Sequence, residues 1–550
     1  MELREKKTNP SQGLPLAITV AVQADPPDLQ DNTADLDRLR QALERELAGD
    51  GWDRSVVIPF AAMAPLGQAF REAEFCGQAI VNVLADRFEC VDFLGEAPDT
   101  LTAMALDLGT THLEATLIDL HTGDQLARAN TPNGQITYGA DILSRIHFAT
   151  SRDRQEDGLL TLQKAVVNSI NQLAGDLAGR AGLAVEQIRA ISVSGNTTMV
   201  HLLLGLSPYH ICREPYTPLV GWPDPFAASE IGINIHCRAP VWILPSIGSY
   251  FGGDLISGIL ASGLDEQEDT SMLIDVGTNA EVVLGNRDWL IACAGAAGPA
   301  LEGGVARMGM RAGPGAIEHV RLDRKKWRLE AETIGGKPAV GICGSGLIEL
   351  VAELFLAGIV DIRGKLRRDS GSGSEARRHF VRSRLVKEVD GLSFIVVPAE
   401  AAGHGMPVTL AQVDLDAMMR SKAAMYAILT TLVGQVGVEF TDLDTIYVAG
   451  AFGKHIDPRA AITLGMLPDL PLSTFQPIGN SSLSGAELVL LSERARKRAL
   501  AIGQKITYIE LNVNQEFMLR FSGSRFIPHT DPHLFPSVPI IKIDDTAEKG

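Results

Sequence analysis

Two stretches of the chain carry the same chemical signature. Ala105-Leu106-Asp107-Leu108-Gly109-Thr110-Thr111 is matched further on by Leu273-Ile274-Asp275-Val276-Gly277-Thr278-Asn279. In each, an apolar run ends in Asp, and a short turn follows that carries Gly with hydroxyl or amide side chains. Such a turn offers backbone N–H groups and hydroxyls to an anion, while the Asp can hold a divalent cation through water. Phosphoryl transfer needs that pairing, a metal ion on the phosphate oxygens and donors for their charge. Gly109, Thr110, Thr111, Gly277, Thr278 and Asn279 are therefore the candidate phosphate binders. Asp107 and Asp275 are the candidate catalytic carboxylates, positioning Mg²⁺ through water. Either copy alone is also a good turn for local reasons, because Asp and Gly favour turns. Two copies, each at a strand end before another strand, point to two related halves that handle one phosphate chain.

Several further residues have the right type in the right place, each with a plainer alternative. Ser194-Gly195-Asn196-Thr197-Thr198 follows an apolar strand and opens a helix, so Asn196 and Thr197 sit at a positive helix end that attracts anions. An ordinary N-cap uses the same residues. Ala449-Gly450-Ala451-Phe452-Gly453 also follows a strand. Gly450, Ala451 and Gly453 let a flat ring approach the backbone, and close helix–strand packing needs the same small residues. Asp254 stands beside two glycines at a helix start, where it either orients an attacking water or charges the helix N-terminus. Gly344 and Ser345, in the Gly341–Gly346 turn, and the turn Gly295–Gly304 line a cleft or simply pack tightly. His529 and His533 read as residues of a surface loop rather than metal ligands.

These residues need elements to hold them. Short turns between runs rich in Val, Ile and Leu predict two β-hairpins, with second strands at Leu113–Leu120 and Ala280–Leu284. Around them strands alternate with helices: Ile188–Val193 then Thr197–Leu204, Val241–Leu244 then Gly253–Leu260. Helices are expected near Gly346–Ala357 and Leu410–Val436, and a strand at Thr445–Val448. That alternation indicates an α/β fold class. Residues 1–14 and 541–550 read as polar tails, and 15–100 as a small α/β domain with a strand at Ala17–Val22 and a helix at Thr33–Leu47. Residues 101–270 and 271–540 form the two larger regions, the second with a mobile insertion at 363–384 built around Arg-Arg-Asp-Ser-Gly-Ser-Gly-Ser-Glu. The paired hairpins are the one internal repeat, and their spacing is too long for a solenoid.

Composition narrows the partners. A chain of 550 residues is too long for one core and fits roughly three or four units. Its formal net charge of −18, from 67 acidic and 49 basic residues, repels phosphate backbones and argues against nucleic acid. No stretch of about 18 uninterrupted apolar residues is present, so no membrane span is expected. The N-terminus lacks the apolar core of a signal peptide, and a cytoplasmic location follows as the expectation. Six scattered cysteines include no close ligand pair, which indicates inert thiols and no iron–sulfur cluster. Neither a Gly-x-x-x-x-Gly-Lys-Ser/Thr loop nor a convincing Gly-x-Gly-x-x-Gly dinucleotide turn occurs.

With both hairpins and Ala449–Gly453 in place, the chain resembles the actin, sugar-kinase and heat-shock-chaperone ATPases, and within them the ATP-dependent reductive activators of corrinoid proteins. The resembling stretches run in order from Asp107-Leu-Gly-Thr-Thr through Tyr138-Gly-Ala-Asp-Ile-Leu-Ser-Arg-Ile146 and Ser194-Gly-Asn-Thr-Thr-Met-Val-His-Leu-Leu-Leu-Gly205 to Asp275-Val-Gly-Thr-Asn-Ala-Glu281. They continue with Ala296–Gly304, Gly344–Ile348, Gly450–Gly453 and Ile478-Gly-Asn-Ser-Ser-Leu-Ser-Gly-Ala486, while residues 16–100 look like the family's middle segment. Ala280 stands where the family pattern has Gly.

The resemblance implies a two-lobed, actin-like ATPase of the ribonuclease H-like type that drives reduction of Co(II) to Co(I) on a partner corrinoid protein. ATP and Mg²⁺ are then the cofactors, the corrinoid belongs to the partner, and Gly450, Ala451 and Gly453 lie against adenosine. In the family an N-terminal ferredoxin domain feeds the electron. Its absence from this sequence implies a separate donor, a ferredoxin or similar, acting for a corrinoid-dependent methyltransferase system. A homodimer stays open. The alternatives are a nucleotide-sensing chaperone for a corrinoid or methyltransferase protein, and a small-molecule kinase with Asp254 as its catalytic acid.

Overall fold

The computed structural model describes residues 13–49, 52, 54–151, 157–249, 251–277, 279–295, 306–368, 374–389, 391–511 and 514–541. Thr278, most of Gly295–Gly304, nearly all of both tails and part of the expected insertion lie outside them. The chain divides into two compact units. The first takes Met1–Ala261 with Ser481–Lys505, the second Ser262–Asn480 with Ile506–Gly550.

The first unit opens with β1 (Ala17–Gln23), α1 (Asp35–Gly49), β2 (Ser55–Val57), α2 (Phe60–Glu72), β3 (Cys76–Val83) and β4 (Arg87–Leu94). The four strands form one sheet in the order β1-β3-β4-β2. Leu39 and Leu43 of α1 and Leu66 and Phe70 of α2 are buried with Val81 and Phe88 of the sheet. Phe70 meets Phe75 and Phe93 edge-on, at centroid distances of 4.9 and 5.1 Å. Helix α1 starts at Asp35, later than the expected Thr33, for a local reason. The Asp31 carboxylate accepts the Thr33 N–H at 3.1 Å and its hydroxyl at 2.7 Å, closing a turn that competes with helix there.

Next come β5 (Thr102–Leu108), β6 (His112–Asp119), β7 (Gln125–Pro132), α3 (Ile142–Thr150), α4 (Gly158–Ala181) and β8 (Ile188–Gly195). Then follow α5 (Thr197–Leu204), β9 (Phe226–Ala227), β10 (Pro240–Ile243) and α6 (Gly253–Ser262). Their strands make a six-stranded sheet in the order β7-β6-β5-β8-β10-β9. Strand β5 pairs antiparallel with β6 and parallel with β8. It is covered on both faces, which is why it reads as a continuous apolar run, with half-buried Asp107 as the exception near its end.

The second unit begins with β11 (Ser271–Val276), β12 (Ala280–Gly285), β13 (Leu290–Gly295), β14 (Ala316–Asp323), β15 (Arg328–Thr333) and β16 (Gly341–Ile342). It continues with α7 (Gly344–Leu356), α8 (Glu375–Arg384), β17 (Leu385–Glu388), β18 (Gly391–Val397), β19 (Val408–Ala411) and α9 (Gln412–Val436). After these stand β20 (Ile446–Ala449), α10 (Gly450–His455), α11 (Pro458–Leu464) and β21 (Phe475–Gly479). The chain then returns to the first unit for α12 (Ser481–Leu491) and α13 (Glu493–Lys505). Strand β22 (Ile506–Tyr508) and α14 (Gln515–Gly523) complete the second.

Its large sheet runs β21-β20-β11-β12-β13-β22. Both expected hairpins are present, as β5–β6 and β11–β12. The repeat also extends past the turns. The order β10-β8-β5-β6-β7 of the first sheet is the order β21-β20-β11-β12-β13 of the second, with the same parallel and antiparallel pairings. The end of β8 therefore corresponds to the end of β20.

Residues 363–384 are expected as a mobile insertion or loop; within them Glu375–Arg384 form α8, N-capped by the Ser374 hydroxyl and seated through buried Phe380 and Val381. Ten residues with two apolar anchors give too little periodicity to stand out from a charged run. Elsewhere in the unit, α9 is buried nearly all round. At its middle Lys422 is fully enclosed, and its Nζ donates to the carbonyls of Phe526 and Pro528 at 2.5 and 2.7 Å. Burial pushes this ammonium well below its ordinary pKa. Among the described residues, no helix is long and apolar enough to cross a membrane.

Candidate functional site

The turn between β5 and β6 is held from behind at three successive carbonyls. Asn133 Nδ2 donates to Gly109 O at 2.9 Å, Arg145 Nη2 to Thr110 O at 2.5 Å, and the Asn133 N–H to Thr111 O at 2.9 Å. In a planar trans peptide the N–H points opposite to the C=O. With the carbonyls of 109 and 110 drawn towards Asn133 and Arg145, the N–H groups of Thr110 and Thr111 face the other way, as an anion site requires.

A second turn closes on the first. Asn196 caps α5, its Oδ1 accepting from the Met199 N–H at 3.0 Å, while its Nδ2 donates to Thr110 Oγ1 at 3.1 Å. One side chain therefore both caps α5 and ties that cap to the β5–β6 turn. Thr197 is fully buried, and its hydroxyl donates to Gly248 O at 3.2 Å, so it holds a loop. Asp254 lies in the first turn of α6, where its Oδ1 accepts the Leu255 N–H at 3.0 Å. A Cβ on Gly252 would come within 2.6 Å of that oxygen, 2.6 Å of Gly195 O and 2.3 Å of Asn196 Cα. The first unit therefore gathers Asp107, Thr110, Thr111, Asn196 and Asp254.

Asp107 is oriented by a chain of serines, of which Ser482 and Ser257 are not among the expected site residues. Ser482, in the first turn of α12, donates to Asp107 Oδ1 at 2.7 Å. Ser482 Oγ lies 2.8 Å from Ser194 Oγ on β8, and Ser257 Oγ on α6 donates to Ser194 Oγ at 2.9 Å. A hydroxyl has one proton, so the directions follow: Ser257 donates to Ser194, Ser194 to Ser482, and Ser482 to the carboxylate. All three serines are buried, and each donation polarises the next. Ser482 lies in the family-resembling stretch Ile478–Ala486, but neither that resemblance nor the Ser-rich start of α12 reveals a partner so distant in the chain. Replacing Ser482 with Ala removes one hydrogen bond to a charged group and is expected to destabilise the first unit by about 1.5–3 kcal/mol. Chemical denaturation checks this, and an unchanged midpoint would refute it.

The second unit carries the corresponding turn. Asp275 is half-buried near the end of β11, opposite Glu281 on one side and Ala449 on the other. The Gly277 N–H donates to Asn279 O at 2.9 Å, and Thr278 lies outside the described residues. Gly450 has φ +75°, and a Cβ there would sit 3.1 Å from Asp275 Oδ1, so only glycine lets β20 turn into α10 beside that carboxylate. A Cβ on Gly453 would meet Val448 O at 2.1 Å, which is the close helix–strand packing that small residues permit. The Ala451 side chain lies outside the described residues. Gly344 and Ser345 open α7, and the Ser345 hydroxyl donates to Glu318 O at 3.1 Å.

His201 and His529 take packing roles. His201 of α5 is fully buried, with Nδ1 at 2.7 Å from Thr197 O, so Nδ1 carries the proton and Nε2 accepts the Leu219 N–H at 3.2 Å. Burial pushes its pKa down and keeps the ring neutral. His529 packs edge-on against Tyr426 at 5.7 Å and accepts the Asp531 N–H, while His533 is exposed. Among the described residues, no cluster of three or more His, Cys, Asp or Glu could form a metal cage. The site instead offers single carboxylates beside hydroxyls and amides. That donor set suits Mg²⁺, which keeps water and phosphate oxygens as its other ligands.

Family models match three consecutive segments: the RACo linker region over residues 9–92, the RACo middle region over 102–267, and the C-terminal ASKHA domain of RACo over 269–539. The corrinoid activation enzyme RamQ of Eubacterium limosum is 30% identical over 489 residues, 88% of this chain and 79% of that protein. The [Co(II) methylated amine-specific corrinoid protein] reductase of Methanosarcina barkeri is 25% identical over 433 residues, 74% of this chain and 72% of its own. The solved structure of a reductive activator for corrinoid, iron-sulfur protein superposes with a TM-score of 0.85 at 36% identity, covering 98% of this chain and 82% of that one. The chain belongs to the RACo family of reductive activators of corrinoid proteins, a mixed α/β protein whose C-terminal domain is of the ASKHA type.

Proposed function

We infer that this chain is an ATP-dependent reductive activator that returns a partner corrinoid from Co(II) to Co(I), in support of a corrinoid-dependent methyltransferase system. The observation that carries the reading is the turn at 109–111, with its carbonyls held from behind and its hydroxyl tied to the cap of α5, in a chain of this family. In this reading Thr110 and Thr111 bind phosphate oxygens through N–H and hydroxyl groups. Asp107, oriented by Ser482, holds Mg²⁺ through water, and the ion supplies charge neutralisation on the phosphates. Asp254 stands beside Asn196 and orients the attacking water. Asp275, Gly277, Thr278 and Asn279 offer the same donor types in the second unit, and Gly450 with its neighbours Ala451 and Gly453 receives adenosine.

Reducing Co(II) takes one electron, which a low-potential donor of the ferredoxin class supplies. ATP contributes only by favouring one conformational state over another, since a ligand shifts an equilibrium by its differential affinity for the two. The protein acts in the cytoplasm. The test is the ultraviolet–visible spectrum of a Co(II) corrinoid protein mixed with this chain, a low-potential reductant and Mg²⁺. Conversion to Co(I) only on adding ATP is the expected result. ATP-independent conversion, or none with any corrinoid protein encoded beside this chain, would count against the proposal.

A further inference from the structure

Arg145 is fully buried, at 0% exposure, and it lies directly behind the phosphate turn. Each of its hydrogen bonds goes to a neutral acceptor: Nε to Gly139 O at 2.9 Å, Nη1 to Gln135 Oε1 at 3.2 Å and Met199 Sδ at 3.1 Å, Nη2 to Thr110 O at 2.5 Å. Among the described residues no carboxylate pairs with it. Asp141, the acid that acts on it through space, turns its Oδ1 to the Ser144 N–H at 2.8 Å to cap α3. The surrounding fold is built for the cation. The Gln135 amide donates to Leu162 O at 3.0 Å, which fixes its oxygen towards the guanidinium. Desolvation lowers the Arg145 pKa to about 10, so the group keeps its charge at neutral pH.

A buried ion without a counter-ion is costly, and such groups persist where the missing charge arrives with a ligand. We propose that Arg145 is a positioning residue that supplies fixed positive charge to the phosphate chain without touching it, acting through the Thr110–Thr111 peptide. Its Nη2 polarises the Thr110 carbonyl, and the N–H at the far side of the same peptide becomes a stronger donor to an anion. The bound triphosphate supplies the negative charge that no hydrogen-bonded partner of Arg145 provides. This assignment rests on the nucleotide reading above.

The test compares the full chain with Arg145→Gln and Arg145→Lys by calorimetric binding of MgATP, MgADP and adenosine. Charge removal is expected to weaken MgATP by roughly tenfold to a hundredfold, MgADP by less, and adenosine hardly at all. Arg145→Lys is expected to retain most MgATP affinity, and it carries the test alone should the Gln variant fail to fold. Equal losses for adenosine and MgATP would mark Arg145 as purely structural and overturn the proposal, as would a folded Arg145→Lys that loses MgATP. Native MgATP affinity in Arg145→Gln would overturn this assignment alone. A native chain that binds no ATP would overturn the nucleotide reading together with it.

Discussion

Asp107→Asn is expected to cut ATP turnover by roughly a hundredfold to a thousandfold while the protein stays folded, the range seen when one preorganised group is removed from a charge-stabilising site. The substitution is a sharp probe because it is nearly isosteric. Asn keeps an oxygen that can still accept from Ser482, so the chain Ser257–Ser194–Ser482 retains its terminal acceptor. What disappears is the negative charge, and with it the ability to hold a divalent ion through water. Excess Mg²⁺ should recover part of the turnover, because weaker attraction lowers the occupancy of the metal site and mass action raises it again. Phosphate release at saturating ATP across a Mg²⁺ titration measures the effect, with thermal melting as the control for folding. Activity within threefold of native would remove Asp107 from the metal site.

The position of Asp107 was legible in the sequence because everything that places it is local. An apolar run covered on both faces, a Gly turn and a second strand specify a hairpin without reference to the rest of the chain. The partners of Asp107 are not local. Ser482 reaches it from α12, which follows β21 in sequence yet packs with the first unit, and Ser257 enters from α6. A serine in a helix has no pattern that announces a buried acceptor. Arg145 lies in the stretch Tyr138–Ile146 that carries the family resemblance, yet no role follows from it there, because only the fold makes it the buried support of the Thr110 carbonyl. The likeness of the two large sheets had a different kind of concealment. The turns betray it through Asp and Gly, whereas the five-strand order depends on pairings that periodicity cannot supply.

Gly252→Ala is expected to do more damage than any charge change on the surface, although it adds a single methyl group. The new Cβ would stand 2.3 Å from Asn196 Cα and 2.6 Å from Gly195 O, both backbone atoms, so no side-chain rotation relieves the contact. Either the start of α6 or the β8–α5 turn must move. Forced overpacking of this kind costs about 1–3 kcal/mol of stability. The larger effect is geometric, since Asn196 links that turn to Thr110 through a 3.1 Å hydrogen bond, and Asp254 rides on the segment that would be displaced. A shift of about 1 Å in groups that position a reaction lowers rates by about a hundredfold, so turnover should fall further than the loss of stability explains. Gly175→Ala is the matched control. That glycine lies exposed in α4, a Cβ there would meet nothing within 4 Å, and alanine should be neutral or slightly stabilising. If both variants turn over ATP at the native rate, the contact between α6 and the α5 cap has no part in holding the site. If only Gly252→Ala fails, and melts as a folded protein, that contact is what keeps Asn196 and Asp254 in register with the phosphate turn.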